Sequence, residues 1–169
     1  MELYYDEINS PIGPLLLIAD KDKIALRIDF GTKADVDEKI TTWGTRYFNE
    51  PIFVYQPDKV QIIKEELQSY FAKECREFTF EYKFYGTDFQ KQVWKALLTI
   101  PYGETKTYKD IAVIIHNPKA VRAVGGAVNK NPFSIVAPCH RVIGTNGKMV
   151  GYGGGIGKKE FLLKHENDT

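Results

Sequence analysis

The chain is predicted to be α+β: a small amino-terminal antiparallel sheet with a covering helix, then a mostly helical carboxy-terminal domain containing a helix-turn-helix. Three observations predict this. Runs of β-favouring residues separated by short polar turns open the chain. After residue 86, helical apolar spacing and helix-capping residues take over. Charge changes sign where the pattern changes: residues 1–85 carry 11 Lys/Arg against 16 Asp/Glu, net −5, and residues 86–169 carry 12 against 6, net +6. Two domains are therefore expected, 1–85 and 86–169, the second with the charge to meet a polyanion.

The strand candidates are Leu3-Tyr4-Tyr5, Leu15 to Ala19 and Ile24 to Phe30, with turns at Gly13-Pro14 and Asp20 to Lys23. Apolar residues at Val60, Ile63, Leu67, Tyr70 and Phe71 trace one face of a helix within 58–74. Phe78 to Phe84 alternates aromatic and polar residues as a further strand would. Thr87 then caps a helix carrying Phe89, Val93, Trp94, Leu97 and Leu98, which Pro101-Tyr102-Gly103 ends. Thr107 to Asp110 fits a capping box ahead of Ile111 to Ile115. After the break at His116, Asn117 is expected as the next cap with Pro118 at the first helical position, and His116 reads as a surface or capping residue. A last helix is expected over Lys158 to His165.

The composition, with 43% hydrophobic and 27% charged residues among 169, suits a chain with a real core and excludes disordered and collagen-like classes. The apolar run Pro14 to Ala19 is far too short to span a bilayer, and the acidic start lacks the basic region of a secretory signal. A cytoplasmic protein with no membrane partner is expected. Cys75 and Cys139 then read as independent thiols.

The densest chemistry lies at Pro138-Cys139-His140-Arg141-Val142, where a buried-looking apolar strand runs into a cysteine flanked by two basic residues that favour thiolate, the nucleophilic form. Cys75, by contrast, reads as a small core hydrophobe. In the second helix of the pair, Val121, Val124 and Val128 follow core spacing, leaving Arg122, Ala123, Gly126 and Ala127 on another face. Glycine inside a helix costs about 1 kcal/mol relative to alanine, so a smooth face with one long cation, Arg122, suggests close approach to a nucleic-acid groove.

These residues resemble the O6-alkylguanine-DNA alkyltransferases, the methylated-DNA–protein-cysteine methyltransferases. Besides Pro138 to Val142, the resemblance is carried by Phe89 to Trp94, Ile100 to Thr105, Thr107-Tyr108, Asn117 to Ala127, Asn131-Pro132 and Gly151 to Gly155, and more loosely by Ser10 to Leu15. It implies a single-turnover DNA repair protein that flips O6-alkylguanine out of duplex DNA and transfers the alkyl group irreversibly to Cys139, with O4-alkylthymine as an optional second substrate. It implies that His140 accepts the thiol proton through a water, that Glu166 holds His140, and that Asn131 braces the active segment. Arg122 would fill the gap left by the flipped nucleotide, while Tyr108 would push the flanking phosphate and donate toward the base. The base pocket would use the carbonyls of Cys139 and Val142, the N–H of Gly153 and a wall from Tyr152. No cofactor is implied, and a monomer is expected.

Two departures stand out. The structural zinc of some relatives needs cysteine and histidine ligands, whereas residues 1–85 hold one cysteine and no histidine, so no metal is expected. Residue 153 is glycine where relatives often carry serine or alanine, which leaves room for larger alkyl groups. Two other functions fit the residues less well. A papain-type cysteine hydrolase would leave the helix-turn-helix unexplained. A lesion-binding module without chemistry would not need Cys139. The glycines at 151–157 match no nucleotide-cofactor pattern.

Overall fold

The computed structural model describes residues 1–144 and 156–167. The chain divides into two compact units, Met1–Tyr85 and Gly86–Thr169.

In the first unit, β1 (Glu2–Ser10), β2 (Gly13–Ala19) and β3 (Ala25–Phe30) form the expected antiparallel meander. The central strand β2 buries all of Leu15, Leu16, Leu17, Ile18 and Ala19, as a strand covered on both faces must. On one face Leu16 and Ile18 join Leu3, Leu26, Ile40 and Trp43 in a core cluster. Ile40 and Trp43 belong to α1 (Lys33–Tyr47), a helix the apolar spacing did not reveal because few of its residues face inward. Its capping box, Thr32 with Asp35, was the available sign.

The sheet is mixed rather than purely antiparallel, which corrects the expectation. β4 (Ile52–Tyr55) pairs parallel to β1, Glu2 opposite Ile52 and Tyr5 opposite Tyr55, giving the order β3-β2-β1-β4. The α1 segment between β1 and β4 provides the crossover that a parallel pair requires. The helix expected over 58–74 is a 3₁₀ turn, Pro57–Val60, followed by α2 (Gln61–Phe71), which buries Ile63, Leu67 and Tyr70. Phe78 to Phe84 forms no strand. It makes a single bridge, Ala25 to Tyr82, with Ala25 N–H donating to the Glu81 carbonyl at 2.8 Å and Lys83 N–H to the Ala25 carbonyl at 3.0 Å.

In the second unit, α3 (Asp88–Leu97) and α4 (Tyr108–Ile114) begin at the two expected caps, Thr87 with Gln90 and Thr107 with Asp110, each a reciprocal capping box. The next helix, α5 (Val121–Asn129), starts later than expected. Asn117 to Ala120 forms a turn closed by Ala120 N–H on the Asn117 carbonyl at 3.0 Å, so Ala120 and not Asn117 is the cap residue. Trp94, buried in α3, donates its indole N–H to the Ala127 carbonyl of α5 at 2.8 Å. That bond fixes the inner face of α5. Val124 and Val128 are buried as predicted, Val121 is exposed, and Ala127 is buried instead of lying on the outer face. Two two-residue strands, β5 (Lys106–Thr107) and β6 (Val142–Ile143), pair in parallel and tie the start of α4 to the segment just past Cys139. The last helix, α6 (Ile156–Asn167), extends past both ends of its predicted range.

Candidate active site

The segment leading to Cys139 is built from turns, where a strand was expected. Asn131 organises it. Its Nδ2 donates to the carbonyls of Phe133 at 3.2 Å and Ala137 at 2.7 Å, and its Oδ1 accepts from Phe133 N–H at 3.0 Å. An amide side chain bound three times substitutes for the ladder bonds the segment lacks. Ile135 adopts a positive φ of 74°, a left-handed conformation that a strand would not contain. Cys139 opens a 3₁₀ turn, Cys139–Arg141, and is 7% exposed.

The next two residues of that turn meet Glu166 of α6. His140 Nε2 lies 2.7 Å from Glu166 Oε2. Arg141 donates through Nε to Oε1 at 2.7 Å and through Nη2 to Oε2 at 2.9 Å, while its Nη1 reaches the Ile100 carbonyl at 2.6 Å. Gly103 N–H adds a bond to Oε1 at 3.2 Å. Burial disfavours the charge on Glu166, but hydrogen bonds from His140 and Arg141 outweigh it and hold the carboxyl far below the usual carboxylate range.

Burial also dominates at His140, pushing it below its ordinary value. The Glu166 contact opposes that shift, and the charges of Arg141 and Lys159 reinforce it. The imidazole is therefore neutral at physiological pH. Because an ionised Glu166 can only accept, Nε2 carries the proton and Nδ1 presents the lone pair. Nδ1 is buried and finds no hydrogen-bond partner among the described residues. A buried acceptor of this kind is poised to take a proton.

Tyr108, the first residue of α4, is half-buried, and burial together with the nearby Cys139 charge raises its hydroxyl pKa. On α5, Arg122, Ala123 and Gly126 are exposed, and a Cβ on Gly126 would meet nothing within 4 Å. Ala127 leaves this group because its side chain is buried. Val142 is buried, and its carbonyl accepts from Lys159 Nζ. Tyr152 and Gly153 lie outside the described residues.

Two site residues were missed in the sequence. The run Pro138 to Val142 marks Arg141 only as a neighbour of the thiol, though its main contact is the fork on Glu166. Lys159 was not singled out, yet a signal existed: positions 159, 162, 163 and 166 share one helical face, and Lys159, Leu162, Leu163 and Glu166 are all buried. Among the described residues no group of three His, Cys, Asp or Glu could hold a metal. No helix there is long and apolar enough to cross a membrane.

Residues 3–84 match the family model for the 6-O-methylguanine DNA methyltransferase ribonuclease-like domain, and residues 88–168 match that for the DNA-binding domain. The chain belongs to the 6-O-methylguanine DNA methyltransferase family. The methylated-DNA–protein-cysteine methyltransferase of Methanosarcina barkeri is 46% identical over 169 residues, covering 99% of each chain. Among solved structures, Mycobacterium tuberculosis O6-methylguanine methyltransferase is similar with a TM-score of 0.82 at 41% identity, covering 98% of this chain and 93% of that one. Mycobacterium tuberculosis OGT in complex with DNA gives 0.81 at 40% identity, covering 99% and 93%. The resemblance drawn from the motifs is thus borne out over both units of this methyltransferase-family chain.

Proposed function

We propose that this chain repairs DNA as a methylated-DNA–protein-cysteine methyltransferase, accepting the alkyl group of O6-alkylguanine on Cys139 once and keeping it. The observation that carries this reading is a buried cysteine in one turn with a neutral histidine whose Nδ1 lone pair is unengaged among the described residues. The thiol proton passes through a water to His140 Nδ1. Sγ attacks the alkyl carbon, the S–C bond forms as the C–O6 bond breaks, and the bonding electrons stay on guanine, which takes up a proton. Tyr108 donates toward the base. Glu166 keeps the imidazole turned and Asn131 holds the segment before Cys139.

Thiol ionisation alone is too small an effect. A free thiol of pKa about 8.5 is about 3% ionised at neutral pH, so full ionisation gains at most about 30-fold, about 2 kcal/mol. Holding the base in line with sulfur supplies on the order of 7–11 kcal/mol, so orientation must dominate. Because Cys139 is buried, the guanine has to leave the duplex stack to reach it. The exposed face of α5, with Ala123 and Gly126 small and Arg122 long, suits insertion into a groove while Arg122 occupies the vacated space. Val142 contributes its carbonyl to the base pocket. Residues 86–169 carry DNA binding and alkyl acceptance, and the protein works as a cytoplasmic monomer, where reducing conditions keep Cys139 a thiol.

Peptide mapping after incubation with duplex DNA containing O6-methylguanine tests the reading. The added methyl is expected on Cys139. Added mass on Cys75, or clearance of the lesion by Cys139→Ala, would overturn it.

A further inference from the structure

We propose that an aromatic cluster on the first unit binds single-stranded DNA, Tyr47 and Tyr85 stacking against bases while Arg46 and Lys83 meet the backbone phosphates. This surface acts independently of Cys139. Tyr47 is the last residue of α1, Phe48 caps that helix and Tyr85 closes the unit. The Tyr85 ring centroid lies 4.8 Å from that of Phe48 and 5.9 Å from that of Tyr47. All three rings are partly buried against the core that contains Trp43, and keep the rest of their surface outward.

Two cations lie over these rings. The Arg46 guanidinium is 5.7 Å from the Tyr47 centroid, and Lys83 Nζ is 5.1 Å from that of Tyr85. Both residues are exposed, so their side chains reach the rings from the solvent side and mark faces that a ligand can also reach. Neither charged end has a carboxylate partner among the described residues, whereas Arg27 and Lys39 pair with Asp29 and Lys33 pairs with Asp37. Unpaired cations gathered on rings stand out in a unit of net charge −5. Trp43, T-shaped against Tyr85 at 6.4 Å, adds a buried indole N–H with no hydrogen-bond partner among the described residues. A native structure rarely leaves such a donor unmatched.

The cluster thus presents ring faces, positive charge and a donor, and lacks anions and acceptors. Nucleobases joined by phosphates supply all of these, and an unpaired strand is the form that fits, because bases in a duplex stack on one another and show no free face. Two ring-and-cation pairs side by side serve successive nucleotides of one strand, which a lone mononucleotide would not use.

Fluorescence anisotropy of a labelled oligothymidylate of about twelve nucleotides, titrated with the full chain at fixed salt beside an undamaged duplex of equal length, tests this. Tyr47→Ala should weaken single-strand binding about tenfold, as should joint Arg46→Ala and Lys83→Ala replacement, while duplex binding stays unchanged. Tyr47→Phe keeps the ring and should bind as the unsubstituted chain does. Reaction with free O6-benzylguanine should be unchanged in every variant; it reports on Cys139 and on folding, so failure of the acceptor reading shows there and not in strand binding. Should Tyr47→Ala not fold, the exposed Arg46 and Lys83 pair carries the same test. Single-strand affinity that none of these replacements changes overturns the proposal, and so does an equal loss on duplex. Displacement of the strand by thymidine monophosphate at the same nucleotide concentration would make this a mononucleotide site and also overturns it. Photocrosslinking to a strand carrying 5-iodouracil should place the adduct on Tyr47 or Tyr85, and adducts confined to residues 86–169 overturn the proposal.

Discussion

Arg141 and Glu166, 25 positions apart, meet through two parallel hydrogen bonds of 2.7 and 2.9 Å in the interior of the second unit. The geometry is a guanidinium fork on a carboxylate, the strongest arrangement available to such a pair. It clamps the turn that carries Cys139 to α6, and the third arm of Arg141 on the Ile100 carbonyl anchors the segment just after α3 to the same point.

Arg141→Ala should destabilise the protein by about 3–5 kcal/mol, because it strands a buried carboxylate. Arg141→Lys should restore little, since an ammonium cannot reproduce the fork. Urea unfolding of the three proteins measures this; a loss under about 1 kcal/mol for the alanine variant would show the pair to be no more than a surface-type contact.

Stability should fall on acidification in two stages. His140 and Glu166 both have folded values below their ordinary 6.5 and 4.5. The unfolded chain therefore binds protons that the folded chain refuses, so stability is fully present above both ordinary values and is lost as pH falls. The loss should begin near 6.5 through His140 and steepen below 4.5 through Glu166. Unfolding free energy measured against pH checks this, and a curve flat across that window contradicts it.

Arg122→Ala should slow repair of duplex DNA by about two orders of magnitude, the worth of a few kcal/mol of unstacking no longer compensated. Reaction with free O6-benzylguanine, which needs no flipping, should be nearly unchanged. Equal losses on both substrates would point to a collapsed pocket.

Gly126→Ala should separate stability from binding. The added Cβ meets nothing within 4 Å, so the helix gains about 0.5–1 kcal/mol. Duplex affinity should fall if this face enters a groove. Unaltered affinity in a salt-controlled titration would place the DNA elsewhere.

Each molecule should accept one alkyl group, because a thioether does not leave toward water. The alkylated form should also melt lower, since one methyl added beside a buried sulfur typically costs about 1–3 kcal/mol. Transfer well beyond one methyl per protein, or an unchanged melting temperature, would contradict the respective half.

Much of this was legible in the residues alone. The caps at Thr87 and Thr107, the meander of β1 to β3 and the inward rows of α2 and α3 all follow from interactions within a few positions or from a simple period. The run Pro138 to Val142, with its flanking motifs, was enough to indicate the family. By contrast, α1 was hidden because its inner face is short, and β4 because a four-residue strand has too few positions to show alternation.

What the sequence determined by itself was therefore the local kind: where α3 and α4 start, and that basic charge gathers after residue 86. Only the tertiary structure decided that β4 runs parallel to β1, that Ala127 turns inward under Trp94, and that Arg141 grips Glu166 while Lys159 enters the interior beside Val142. Capping and periodicity act between neighbours and leave a mark in the order of residues. A buried charge finds its partner only after distant segments pack, as when Gly103 and Glu166, 63 positions apart, share a hydrogen bond, because desolvation makes any other arrangement too costly.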